Sequence, residues 1–420
     1  MHILIIPSEE FVPEYAKLSG IFQLDQALAL RAKGIEVGVI SVTDSIAIKT
    51  TLITVFRKLT FRKIFYKVLE ENSVLSMLYI LIKQILKVKS VIREVKDGIF
   101  IIRIQRRCWT DIAISDKMKY FNRCIATAIK IYIKEFGKPS LIHAHNAWFA
   151  GIAAMEIEQR DKIPYCITEH STYYARELIP TKFNPLIRKV FKHSKQNIMV
   201  STSLGQLLAK KELLDADYID IPNILDPKFQ LGIPNTATNE NGRFTFLNIA
   251  ELTEKKGHSF LIKAFANKFA KNNNVKLVIG GDGGMRRELQ TLAESLNIND
   301  QVTFTGVLGR DEVLAQMYRC NVFVLPSLVE TFGVVLIEAM ACGKPVIATK
   351  CGGPEVFVNE NNGILIEPGN VYQLAETMFE FYTAKRHYDQ LLIREFALQN
   401  FGSDKVSDTL INVYKRIINE

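Results

Sequence analysis

Short apolar runs alternate with amphipathic stretches along almost the whole chain. HILII (2–6), VGVI (37–40), GIFIIRI (98–104), LIHAH (141–145), YCIT (165–168), IMVS (198–201) and YIDIP (218–222) have the length and composition of strands. Between them, residues 20–33 carry a helical apolar period with Gly34 placed to close the helix. Further helices are expected around 117–136 and from about 148. Residues 221–242 are rich in Pro, Asn and Gly, as linkers are, and the pattern then restarts. FTFLNIA (244–250), KLVIG (276–280), VTFTG (302–306), VFVLP (322–326) and PVIAT (345–349) read as strands, with helices expected near 258–271, near 285–296 and from about 333. Strand–helix alternation predicts parallel βαβ units. Two doubly wound α/β domains follow, each Rossmann-like, facing an interdomain cleft. Ligands of such sheets sit at the carboxyl ends of the strands, so the loops after strands are where chemistry is expected.

Charge changes this picture in one place. The 420 residues carry 53 Lys+Arg and 44 Asp+Glu, a net charge of +9. Between Lys49 and Arg107 there are 14 basic and 4 acidic residues, a local +10, so the remainder sums to −1. Within that segment VFRKLTFRKIFYKVL (55–69) mixes aromatic with basic side chains. Residues 77–96 suit a helix with Leu78, Leu81, Ile85, Val88, Ile92 and Val95 along one stripe. A basic amphipathic segment suits an anionic membrane surface, where each Lys or Arg contributes about 1 kcal/mol. It equally suits helices packed on the first sheet with a solvated basic face. No nucleic-acid motif accompanies the charge, so nucleic acid is not expected as a partner.

No apolar run approaches the roughly 18 residues of a membrane span. MHILIIP at the start is too short for a signal-peptide core, lacks a basic flank, and reads as a buried first strand. The six cysteines (108, 124, 166, 320, 342, 351) form no CxxC pair, which points away from zinc or disulfides and toward a reducing cytoplasm.

The densest chemical signal is PSLVETFGVVLIEAMACGKPVIATKCGGPEV (326–356). A strand ends at Pro326, a polar loop carries Glu330, Thr331 and Gly333, and a helix follows. The free N–H groups at that helix start, near Phe332, Gly333 and Val334, favour an anion. Glu330 and Glu338 suit recognition of sugar hydroxyls, which donate to carboxylates. Taken alone, Glu330 could equally cap the helix and Glu338 lie on a solvated face.

This stretch resembles the E-x7-E signature of retaining glycosyltransferase family 4, also known as glycosyl transferases group 1. The resemblance extends to KKGHSFLIKAF (255–265), LVIGGDGGMRRELQTLAESLNINDQVTFTG (277–306), GILIEPGN (363–370) and IPNILDPKF (221–229). It implies a GT-B fold with an acceptor-binding domain over 1–222, a nucleotide-sugar-binding domain over 223–395, and terminal helices over 396–420 that cross back to the first domain. By that resemblance Glu330 contacts donor-sugar hydroxyls, Glu338 the ribose, and the amides near Phe332, Gly333 and Val334 the β-phosphate. Lys256 neutralises the diphosphate, and the backbone near Val307 meets the nucleobase. In the first half, YCITEHSTYY (165–174) places His170 where the family's histidine reaches the donor sugar and β-phosphate. His145 in LIHAH matches an acceptor-side position, and Gly20 begins the first helix near the diphosphate or acceptor.

The resemblance thus implies transfer of a hexosyl or N-acetylhexosaminyl group from a nucleotide diphosphate sugar to a lipid-linked or cell-surface glycan. It implies no metal and no other cofactor, and the histidines have no third ligand at metal spacing. A peripheral position on the inner face of the membrane is expected. One departure stands out. Where the family has Gly-Arg-Leu the chain has Ala250-Glu251-Leu252, so a phosphate-binding arginine is replaced by an acid. Lys255 and Arg310 are the candidates to substitute for it. The departure keeps two alternatives in view, an inactive sugar-nucleotide-binding protein and a sugar-nucleotide epimerase on the same fold.

Overall fold

The computed structural model describes residues 1–12, 20–43, 46–47, 91–104, 107–108, 114–215, 217–232 and 242–419. The aromatic–basic stretch 55–69 and most of the expected helix 77–96 lie outside the described residues. By contacts the chain forms two compact units. One comprises Met1–Thr168, Lys189–Gln196 and Arg416–Glu420, and the other Glu169–Arg188 and Asn197–Lys415. Residues 169–188 and 197–222, grouped with the first domain in the sequence reading, count with the second unit.

Strands are labelled in chain order. In the first unit they are β1 (His2–Pro7), β2 (Glu36–Val42), β3 (Ile46–Ala47), β4 (Val91–Lys96), β5 (Ile99–Ile104), β6 (Arg107–Cys108), β7 (Leu141–His145) and β8 (Tyr165–Glu169). Six of them lie in the order β8-β7-β1-β2-β5-β4, parallel throughout except for β4. Every residue of β1 is buried, as expected for a parallel strand covered on both faces. Helices Ile21–Ala32, Ile114–Phe136 and Ile152–Asp161 supply the crossovers. The expected helix over 77–96 fails where it is described, because Val91–Lys96 is a strand. Asp97-Gly98 explains why. Both residues have positive φ (50° and 73°), and Lys96 pairs with Ile99 across them, so they form the two-residue hairpin turn that Asp-Gly favours. Ile92 and Val95 are exposed on this strand rather than buried along a helical stripe.

The second unit holds the parallel pair β9 (Asn197–Met199) and β10 (Ile219–Asp220). It also holds an all-parallel sheet of β11 (Phe244–Ile249), β12 (Val275–Gly280), β13 (Val302–Gly306), β14 (Val322–Leu325), β15 (Val346–Thr349) and β16 (Gly363–Ile366). The sheet order is β13-β12-β11-β14-β15-β16. Helix His258–Phe269 turns Leu261, Ile262, Phe265 and Phe269 into a core shared with Phe246, Leu277 and Val324. Helix Arg286–Ser295 adds Leu289 and Ala293 at i, i+4 spacing. Helices Gln390–Phe401 and Ser403–Asn419 follow, separated at Gly402. Among the described residues no helix is long and apolar enough to cross a membrane.

The strand order reverses between β11 and β14. At such a switch point the loops leaving two neighbouring strands diverge to opposite faces and open a crevice at their carboxyl ends. Here those loops are 250–257 and 326–333.

Candidate active site

The two loops are pressed together. Leu328 N–H donates to Lys255 C=O (2.7 Å). Gly257 has φ +69°, and a Cβ there would lie 2.0 Å from the Pro326 carbonyl oxygen, so no other residue fits without moving a backbone. This contact fixes Lys256, in the single turn Glu254–Lys256, opposite the loop of β14. Lys256 Nζ donates to Glu330 Oε1 in an ion pair whose side chains are 19% and 9% exposed. Ser327, itself fully buried, donates its hydroxyl to the same carboxylate oxygen (3.0 Å).

A third loop braces Glu330 from the other side. Glu330 N–H donates to Cys351 C=O (3.3 Å), and Gly353 N–H donates to Glu330 C=O (2.9 Å). A Cβ on Gly353 would sit 2.3 Å from the Phe332 amide nitrogen. The Cys-Gly-Gly after β15 is therefore a strut under the Glu330 loop. Gly352-Gly353, in the loop that leaves the buried strand β15, is the sequence signal for this close backbone approach.

Gly333, at φ +95°, ends the loop and begins helix Val334–Ala341. The amides at the start of a helix have no intrahelical acceptor and carry the positive end of its dipole. The Phe332 ring is 2% exposed and packs on Phe357 and Phe401, at centroid distances of 5.0 and 5.7 Å, so this residue can offer a ligand only its backbone.

Glu338 lies on the same helix, 2% exposed, and accepts from Arg310 Nη1 (2.7 Å). Arg310 also donates from Nε to Asp226 Oδ2 (2.7 Å) and stacks over the Phe229 ring. Burial pushes the Glu338 carboxyl above its ordinary range, with Arg310 opposing. Burial also disfavours the Arg310 charge, but Glu338 and Asp226 outweigh it and raise the guanidinium further. Of the two cations that could replace the missing arginine, Arg310 is thus committed to two buried acids. Lys255 remains beside Lys256. Its pKa is lowered, first by burial and then by Lys256 and Arg176, with Glu251 and Glu330 opposing. Asp226, the anchor of Arg310, was missed because its motif position suggested only a linker.

His170 follows β8. Its carbonyl accepts from Thr331 Oγ1 (2.7 Å), next to Glu330, while Thr331 C=O accepts from Ser201 Oγ (2.6 Å). Glu169 Oε1 accepts from the amides of His170 (3.1 Å) and Ser171 (2.9 Å). Burial pushes the His170 ring down to about 3, against a hydrogen bond with Asn223, so it is neutral across the physiological range. Lys256 is therefore bonded to Glu330, and His170 to the adjacent Thr331, with Gly333 two residues further along the same loop.

The remaining expected positions take no part in the bonds named above. Val307, directly after β13, is 66% exposed. A Cβ at Gly281 would lie 2.0 Å from Ala250 C=O, so the Gly-rich turn after β12 packs directly on the loop of β11. In the first unit, Gly20 is the N-cap of helix Ile21–Ala32 at φ +69°. His145 ends β7 with its ring fully buried against His143 (centroids 4.5 Å), so solvent does not reach it.

Comparison with known proteins identifies the family and the fold. The family model described as Glycosyl transferases group 1 matches residues 233–392, and that described as Glycosyltransferase Family 4 matches 104–229. An uncharacterized glycosyltransferase of Methanocaldococcus jannaschii is 26% identical over 311 residues, 68% of this chain and 77% of its own. The gpi3 subunit of the phosphatidylinositol N-acetylglucosaminyltransferase of Schizosaccharomyces pombe is 31% identical over 195 residues, 46% of this chain and 42% of its own. Among solved structures, Anabaena HepE in complex with UDP and glucose superposes with a TM-score of 0.70 at 18% identity, covering 99% of this chain and 100% of that one. The chain belongs to the group 1 glycosyltransferases of family 4 type and has their GT-B fold of two parallel-sheet domains.

Proposed function

We propose that the chain transfers a hexosyl or N-acetylhexosaminyl group, with retention of configuration, from a nucleoside diphosphate sugar to a lipid-linked or cell-surface glycan at the cytoplasmic membrane face. The observation that carries this reading is the Lys256–Glu330 pair beside the start of helix Val334–Ala341. An amine, a row of free amides and a carboxylate stand within one small site. The amine and amides suit a departing diphosphate, and the carboxylate suits sugar hydroxyls. In the step, the bond from the anomeric carbon to the acceptor oxygen forms as the bond to the diphosphate oxygen breaks. The acceptor proton passes to the leaving phosphate, so no dedicated base is needed. Lys256 and the helix amides supply the positive charge for this departure without a divalent metal. His170, held neutral, offers a hydrogen bond but no charge.

Two relatives support the substrate classes. HepE was solved with UDP and glucose, and the Schizosaccharomyces pombe protein is named as a subunit of a phosphatidylinositol N-acetylglucosaminyltransferase. The local +10 over residues 49–107, together with exposed Ile92 and Val95 on β4, supports contact with an anionic membrane surface. Flotation with anionic liposomes at low salt tests that contact, and no flotation sinks it. Glu251 favours a second reading, a protein that binds donor but has lost turnover. A thermal-shift panel of UDP-, GDP- and ADP-sugars identifies the donor. Transfer or hydrolysis by wild type, lost in Lys256→Ala, then separates enzyme from binder. Donor binding with neither reaction in any lipid extract overturns the enzyme reading.

A further inference from the structure

The second unit contains a cavity of about 380 Å³ that none of the assigned residues lines. Its base is apolar, formed by Leu213 (2% exposed) and the ring of Tyr174 (3% exposed). Its rim carries the Tyr173 ring, 39% exposed, with Glu177, Asn184 and Lys211. Lys211 Nζ donates to Glu177 Oε1 (3.1 Å). The two charges at the rim cancel, so the cavity is unsuited to a phosphate or a nucleotide. What it offers is an aromatic face and a set of side chains that both donate and accept.

That combination fits a neutral saccharide. The C–H face of a pyranose is weakly positive and lies on the negative face of an aromatic ring. Its hydroxyls then pair with carboxylate, ammonium and amide groups around the edge. The volume lies at the low end of the roughly 300–1,000 Å³ of small-molecule sites, which leaves room for a short saccharide. Glu177 holds φ +55° without being glycine, a conformation that costs a side-chain-bearing residue energy and turns this residue to the rim.

The cavity is also joined to the candidate active site. Tyr174 donates its hydroxyl to Glu169 Oε2 (3.2 Å), and Glu169 Oε1 holds the amides of His170 and Ser171. We propose that this cavity is a saccharide subsite that holds a neutral hexose unit of the glycan acceptor away from the hydroxyl that is glycosylated. The proposal rests on the glycan-acceptor reading above and narrows it to acceptors longer than one sugar.

Saturation-transfer NMR on the full chain tests it with three probes: maltose, lactose and N,N′-diacetylchitobiose. At least one gives a signal with wild type. Tyr173→Ala weakens that binding by about fivefold to tenfold, Glu177→Gln weakens it, and Tyr173→Phe retains it because the ring face is kept. The UDP thermal shift is unchanged in all three variants. If none of the three disaccharides binds wild type, or if binding is equal in Tyr173→Ala, the subsite does not exist. Failure of wild type to bind any nucleotide sugar strikes the donor reading instead and leaves the disaccharide result to stand on its own.

Discussion

Replacing Arg310 by Met removes the guanidinium that lies over the Phe229 ring, from a side chain only 16% exposed, and keeps most of the apolar stem. Two carboxylates remain, Glu338 with its side chain 2% exposed and Asp226 at 9%, without the cation that pairs both. Breaking a buried pair by deleting one partner costs about 3–5 kcal/mol. Against a total stability of roughly 5–15 kcal/mol, this places the variant near its threshold at neutral pH. The deficit depends on pH with a definite sign. Burial already raises the Glu338 carboxyl, and loss of Arg310 raises it further. A carboxyl whose folded-state pKa lies above its unfolded value stabilises the fold when protonated, and that stability is lost as pH rises through the folded-state pKa. The variant therefore recovers by about 1.4 kcal/mol for each pH unit below its folded-state pKa, down to the unfolded value near 4.3. Urea unfolding at pH 8 and pH 5 reads both quantities. The double variant Arg310→Met, Glu338→Gln recovers at pH 8 part of what the single variant loses, because the amide can stay neutral there. A single variant within about 1 kcal/mol of wild type at pH 8, or a deficit equal at both pH values, would refute the assignment of a buried charge cluster.

Lys256→Met removes the charge-assisted contact to the diphosphate and lowers turnover about 10- to 150-fold, the equivalent of roughly 1.5–3 kcal/mol; a steady-state transfer assay with the identified donor measures it. Glu330→Ala lowers turnover more than Glu338→Ala, and equal losses contradict the separate roles assigned to them. Turnover persists in excess EDTA, as measured after removal of divalent ions, because Lys256 and the helix amides carry the neutralising charge. His258, 1% exposed, has its pKa pushed down to about 4, by burial first and then by Lys256. The unfolded chain therefore binds a proton the folded chain refuses between about pH 6.5 and pH 4, and stability falls as pH drops through that window. At pH 5 the loss relative to pH 8 is about 2 kcal/mol; in His258→Gln the pH 8-to-5 difference in urea-unfolding free energy shrinks by that amount.

Strand–helix alternation and the loops that leave the strands of the second sheet were legible in the sequence, whereas the switch from one unit to the next was placed later than the contacts put it. The two legible features depend on a local period or a local motif. Val91–Lys96 was not legible, because its apolar positions fit a helical stripe when read together with residues 77–90. The competing signal, Asp97-Gly98, is only two residues long but dictates a hairpin. Element type was thus decided by a turn rather than by the run beside it.

The site shows a second limit, which is long-range pairing. Glu330 and Glu338 sit eight residues apart in one motif and read as a matched pair of acids. In three dimensions their partners come from different parts of the chain. Lys256 reaches Glu330 from 74 residues away, and Arg310 reaches Glu338 from 28. The two acids therefore do unlike things. Glu330 shares a partly open site with an amine that a diphosphate can compete for. Glu338 anchors its helix through an arginine already held by Asp226. The same pairing bears on Glu251. An acid in place of the family's arginine removes one positive charge and adds a negative one. Arg310 is not free to compensate, which leaves Lys255, next to Lys256, as the nearby cation, its pKa lowered by burial first and then by crowding against Lys256. A second cation crowded against Lys256 gains from an arriving diphosphate, because the anion relieves the repulsion between them. By that argument the replacement at 251 moves the phosphate-binding charge by a few residues along one loop and does not by itself abolish it.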